Sequence, residues 1–149
     1  MKKILQFTVL MVGTILLGTG CAHTGPKFAD TPIPALSAGQ GRIFVYRKGT
    51  MFGAAVQPKV RLNEERVGKS VPGGFFYVDR DPGEYKISSA TEVEESTMLS
   101  LKAEQTNYVR MNIQMGIVIG RIVPELVDSS VGEKQIQKCR FTGGIYDNP

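Results

Sequence analysis

Histidine, cysteine and tryptophan are scarce in this chain of 149 residues, which holds 1 His, 2 Cys and no Trp. The single histidine, His23, stands in a Pro- and Gly-containing stretch near the N-terminus, so no Ser-His-Asp or Cys-His apparatus is available to a folded domain further on. Cys21 and Cys139 lie far apart, which excludes C-x-x-C metal or redox motifs and a disulfide scaffold. H-E-x-x-H, EF-hand and P-loop patterns are also missing, and neither a metal nor an organic cofactor is expected. Gly at 17 and Pro at 8 are too few for a collagen-like or low-complexity chain. Blocks of one charge are absent: 18 basic residues face 14 acidic ones, and the bases occur singly between apolar residues, which argues against nucleic acid as a partner. What remains is the composition of one ordinary globular domain.

The one long apolar run opens the chain. Residues 1–20 (MKKILQFTVLMVGTILLGTG) place Lys2 and Lys3 before an apolar stretch and the small residues Gly18, Thr19 and Gly20 before Cys21. That order is the pattern of an export signal, and the run is shorter than the roughly 20 apolar residues that span a bilayer. The Cys placed directly after the small residues predicts a bacterial lipoprotein signal, with lipid carried on Cys21. Several acyl chains anchor a protein stably where one does not. The expected location is the cell envelope, facing the periplasm, and Ala22 after the Cys leans toward the outer membrane. Loss of the leader lysines lowers the formal net charge from +4 to +2.

Residues 22–40 carry Pro26, Pro32 and Pro34 and predict an extended, flexible tether. His23 reads as a solvated tether residue. From residue 41 to residue 139 the pattern becomes short strands separated by turns. Residues 42–48 (RIFVYRK) suit a strand buried on both faces. Val60 and Leu62 alternate inward, a hairpin turn is expected over 63–68, and residues 74–79 (GFFYVD) form an aromatic-rich strand. Asp81-Pro82-Gly83 is a turn signal. Tyr85 with Ile87, Thr97 with Leu99 and Leu101, and Val109 with Met111 and Ile113 mark three further inward faces. Residues 121–128 look strand-like, but Pro124 cannot donate to a ladder and predicts an edge strand. Ser130 and Glu133 fit a capping box for one short helix, with Ile136 and Cys139 on its buried side. Residues 140–149 are expected to form a loose tail. About seven short strands predict an all-β antiparallel β-sandwich with one short C-terminal helix. Cys139 then reads as a buried small hydrophobe or as a thiol that pairs between chains.

Two carboxylate groups could carry hydrolytic chemistry: Asp79 with Asp81, and Glu92 with Glu94, two apart and on one face if extended. Both also read as solvated turns. Met51, Met98, Met111 and Met115 read as packing residues rather than as a copper site. The unusual feature is apolar sequence in connections, at residues 51–56 (MFGAAV) and 114–123 (QMGIVIGRIV), the second with Gly116 and Gly120 in a G-x-x-x-G arrangement. Glycine lets backbones approach closely. The two connections either close one end of the core or form an exposed contact surface, whose residues would be Phe52, Gly53, Met115, Gly116, Gly120 and Arg121.

GRIFVYR at residues 41–47, FGAAVQPKVRLNEERVG at 52–68, GGFFYVDRDPGEYKIS at 73–88 and MGIVIGRIVPELVD at 115–128 together resemble the domain-of-unknown-function 2846 family of bacterial envelope lipoproteins. The resemblance implies a β-sandwich-like fold and an exported, often lipidated protein. It brings no activity and no catalytic residues. The function expected from the sequence is therefore a non-enzymatic envelope lipoprotein acting as a binding or structural accessory module, held to the membrane by lipid and contacting an envelope protein. One alternative is a carbohydrate or peptidoglycan-binding module that stacks sugars on Tyr46, Phe75, Tyr77 and Tyr108. The other, from a different class, is a hydrolase using Asp79, Asp81, Glu92 or Glu94.

Overall fold

The computed structural model describes residues 25–143. The predicted leader, Cys21, His23 and residues 144–149 lie outside the described residues. In chain order the elements are a 3-10 turn (Phe28–Asp30), β1 (Gly41–Tyr46), β2 (Lys59–Leu62), β3 (Glu65–Lys69), β4 (Gly74–Arg80), β5 (Gly83–Ala90), β6 (Glu94–Leu101), β7 (Thr106–Gln114), β8 (Arg121–Val127), α1 (Ser129–Ile136) and β9 (Arg140–Phe141). They build a five-stranded sheet, β8-β7-β1-β4-β9, facing a four-stranded sheet, β3-β2-β5-β6. The all-β sandwich holds, but with nine strands and with parallel pairing of β1 to β7 and of β4 to β9. Pro124 sits in β8, an edge strand, where its missing N–H costs no ladder bond.

Strand alternation explains the core. Ile43 and Val45 of β1, Phe76 and Val78 of β4 and Val109 and Met111 of β7 meet Val60, Leu62, Ile87, Leu99 and Leu101 from the opposite sheet. β1 is buried along its whole length because Phe44 and Tyr46 point the other way, into a second cluster with Phe75, Tyr108, Ile136 and Cys139. That second cluster is roofed by α1, the 3-10 turn and β9. Phe28 meets the rings of Phe44 and Phe75 edge-on at 5.5 and 5.1 Å, and Tyr108 stacks on Phe44. Gly132 lets α1 lie directly on Tyr108, whose ring occupies the place a Cβ would take.

The domain exceeds both of its sequence-predicted boundaries. Part of the expected tether is packed structure: Phe28 N–H donates to the Cys139 carbonyl at 3.1 Å and Phe141 N–H to the Pro26 carbonyl at 2.8 Å. The start of the expected loose tail is strand β9, and Thr142 donates to the Phe75 carbonyl from both its N–H and its hydroxyl. The reason is common to both corrections: the aromatic outer face of the five-stranded sheet needs a cover, and the terminal segments supply it. The turn after β2 is only two residues, Asn63 and Glu64, both at positive φ (46° and 68°), so residues 65–69 are strand rather than turn. The capping box does not form: α1 begins after Asp128, with no side-chain cap bond. Cys139 is free and buried, and burial pushes its thiol up to about 11.

Candidate functional site

Both apolar connections emerge at one end of the sandwich. β1 and β7 run parallel, so the loop after Tyr46 and the loop after Gln114 leave the five-stranded sheet in the same direction. They meet over Ile113: a Cβ on Gly53 would lie 2.7 Å from its Cδ1, and one on Gly120 2.5 Å. The glycines therefore permit the approach of two loops onto one side chain. Arg121 begins β8 and pairs with Glu95 at 3.3 Å. The structure thus groups Phe52, Gly53, Met115, Gly116, Gly120 and Arg121 at one end, an arrangement common to the closure and contact-surface alternatives.

The loops cover Ile113 yet keep most of their own apolar side chains in water. Met51 is 94% exposed, Met115 79%, Ile117 97% and Val118 87%, and Phe52 and Ile119 are about half exposed. Core closure therefore describes the glycines, and exposure describes the tips. Ile117 and Val118 are the most exposed aliphatics here; they lie inside the apolar 115–121 stretch expected to make contact but are not among the residues singled out from it. Their signal was three aliphatics in succession between Gly116 and Gly120, more than a two-glycine turn can bury.

Polar groups hold these loops in shape. Arg47, buried, reaches into the first loop and donates from Nη1 to the Val56 carbonyl at 2.5 Å and from Nη2 to the Gly53 carbonyl at 2.9 Å. Nη1 also lies 3.3 Å from the Ser70 carbonyl. Desolvation pulls the Arg47 guanidinium below its ordinary value. Glu92 grips the second loop by accepting the backbone N–H groups of Ile117 (2.9 Å), Val118 (2.6 Å) and Ile119. Those bonds, led by the ones from Ile119 and Ile117, hold its carboxyl below the usual range. Gly116 is required beside it, since a Cβ there would run into the Ile119 carbonyl oxygen.

The carboxylates considered for hydrolysis are engaged separately. Asp79 accepts a bidentate pair from Arg42, both bonds 2.7 Å, and the guanidinium also lies 4.7 Å from the centre of the Tyr77 ring. Asp81 accepts from Gln40 at 3.4 Å, and its carbonyl takes the Tyr85 hydroxyl at 2.7 Å. Glu92 and Glu94 do not act as a pair: one turns to the apolar loop and the other accepts from Lys86 at 2.6 Å, which holds its carboxyl down. The sugar-stacking platform is corrected more sharply. Tyr46 and Phe75 are 1% exposed and Tyr108 5%, and only Tyr77 is half-buried, because the terminal segments and α1 cover the face that strand alternation alone left open. The four methionines also separate, with Met111 in the core and Met51, Met98 and Met115 exposed.

A family model described as "Protein of unknown function (DUF2846)" matches residues 37–121, a span from just before β1 to the end of the second apolar loop. A Haemophilus influenzae protein described only as uncharacterized is 29% identical over 138 residues, covering 88% of this chain and 81% of that relative. No solved structure matches. Among the described residues, no helix is long and apolar enough to cross a membrane.

Proposed function

The chain belongs to the DUF2846 family, and from that premise we propose that it serves as a non-enzymatic accessory module of the bacterial cell envelope, anchored by lipid on Cys21 and working by contact through the loop end. The observation that carries this reading is the pairing of exposure with order. Met51, Met115, Ile117 and Val118 stand in water on loops that Arg47 and Glu92 fix with hydrogen bonds. An apolar tip held in one conformation loses little further entropy when a partner covers it. Anchorage is supported by the leader pattern. Folded structure begins by residue 25, so a lipid on Cys21 keeps the domain within roughly 14 Å of the bilayer surface, at about 3.5 Å per extended residue.

Two measurements test the reading separately. Metabolic labelling with palmitate is expected to mark the wild-type chain and not Cys21→Ala; an unlabelled wild type removes the anchor. Crosslinking in cells followed by pull-down is expected to recover an envelope partner that Phe52→Asp and Ile117→Asp both lose while melting like wild type. An unchanged partner set in those folded variants removes the contact surface.

A further inference from the structure

A groove of about 1020 Å³ opens between the end of β1 and the exposed side of α1. Lys48, Lys134 and Lys138 line it, together with Thr50, Ser130 and Gln135. No acidic residue lines it, and none of the three ammonium groups takes part in an ion pair among the described residues. Glu125 feels the charge of Lys48, but its carboxylate is engaged by Arg110 and Asn112. Cys139 at the floor adds no negative charge, because burial keeps it a thiol at neutral pH. Three lysines therefore line one groove without an ion-pair partner among the described residues.

The neutral groups point the same way. Gln135 Oε1 accepts from the Tyr46 hydroxyl at 2.8 Å and from Arg110 Nη1 at 3.1 Å, which fixes the amide and leaves its Nε2 as the unspent donor. Ser130 adds a hydroxyl that can donate to an oxygen, whereas Thr50 donates its hydroxyl to the Phe52 carbonyl at 3.1 Å. Lysines acting as point charges beside hydroxyl and amide donors suit the several oxygens of a phosphate. The cavity lies at the upper end of the range for small-molecule sites, roughly 300–1,000 Å³, so it admits the phosphate with the group it esterifies. Its wall at Gly49 and Thr50 runs directly into Met51 and Phe52 of the exposed apolar end. A ligand with a phosphate head and an apolar tail would meet matching chemistry along that line.

We propose that the groove is a binding site for a phosphate ester, its phosphate held by Lys48, Lys134 and Lys138 with Gln135 and Ser130 as neutral donors. The site is independent of the anchor on Cys21 and of any protein partner. Its test uses residues 22–149, which lack the lipid-bearing cysteine but contain both sheets and both apolar clusters. Amide chemical shifts of Gly49, Thr50, Ser130 and Gln135 are followed during titration with three probes: inorganic phosphate, glycerol phosphate, and a short-chain phosphatidylglycerol below its micelle concentration. Saturable shifts at these amides with either ester are expected. Lys134→Gln with Lys138→Gln should weaken binding on the order of tenfold or more, as loss of charge-assisted bonds requires, and the three lysines, exposed to solvent, can be changed without unfolding the chain. Tighter binding of phosphatidylglycerol than of glycerol phosphate assigns the ester to a lipid headgroup, and equal binding assigns it to a soluble ester. No saturable shift with either ester, ester binding no tighter than that of inorganic phosphate, or ester binding unchanged in the double lysine variant and in Lys48→Gln, overturns the proposal.

Discussion

The outer face of the five-stranded sheet and the loop end of the sandwich are both rich in apolar side chains, and they meet water in opposite ways. On the sheet face, Phe44, Tyr46, Phe75 and Tyr108 are sealed by segments from the two termini and by α1, so apolar contact supplies the order. At the loop end, Met51, Met115, Ile117 and Val118 stay exposed, and hydrogen bonds to Arg47 and Glu92 supply the order instead. Burying a large aromatic side chain contributes roughly 1.5–3 kcal/mol, so of these two regions the sealed face contributes the stability. Carboxylate bonds to exposed loop amides contribute far less to folding, and what they fix is shape. The comparison teaches that an apolar surface can be ordered without being buried when its backbone, rather than its side chains, is satisfied.

Substitutions that exchange the two regimes should separate stability from loop order. The largest effect is expected from Phe75→Ala, which removes the ring that Phe28, Phe44 and Phe141 all approach and should cost about 3–5 kcal/mol in denaturant unfolding. Arg47→Met comes next. It leaves the Val56 carbonyl without its donor and the Gly53 carbonyl with only the Val56 N–H, and should cost about 1–3 kcal/mol while speeding amide exchange in residues 53–56. Arg47→Lys should not restore the loop, since one ammonium cannot reproduce the guanidinium fork. A smaller and purely local effect is expected from Glu92→Gln: faster exchange at Ile117, Val118 and Ile119 with an unchanged melting temperature.

Acid should reproduce that last result in the wild type. The Glu92 carboxyl is held below its ordinary value in the folded state, so the bonds it makes are fully present above the ordinary glutamate range. They are lost as pH falls through the lower folded-state value. Protection of the amides of residues 117–119, taken relative to their intrinsic exchange rate at each pH, is then expected to fall in acid while amides of β1 stay protected. Protection that instead falls on raising the pH would have the wrong sign for a depressed carboxyl. The smallest expected signal is at Cys139, whose raised thiol and burial should leave it unreactive to alkylating reagents at neutral pH until the domain unfolds.

Much of the sheet architecture was legible in the chain. The alternation of Val60 with Leu62 and of Val109 with Met111, the doubly apolar β1 and the edge role of Pro124 follow from a two-residue period and a missing N–H. What period alone could not show was which outward face would be covered. Phe75 and Tyr108 look solvent-facing when each strand is read singly, and the cover comes from residues 26–33, α1 and residues 139–142, distant in sequence and poor in strand pattern. The candidate site was half legible. Gly53, Gly116 and Gly120 signalled close approach, and the structure places them at one end. The anchors were not: Arg47 looked like one more strand residue, and Glu92 like half of a carboxylate pair, because each acts on backbone groups that leave no mark in the sequence. The lysine groove needed the packing of α1 beside the end of β1 to bring Lys48 next to Lys134 and Lys138.

The claim that the loop end is the working surface is tested most directly by photocrosslinking in living cells from two exposed positions of the same domain. A photoreactive residue at Ile117, 97% exposed on the apolar loop, is compared with one at Met98, 59% exposed on β6 of the other sheet. A discrete adduct from position 117 and none from position 98 is the predicted result. Adducts of equal yield from both positions, or from position 98 alone, would contradict it.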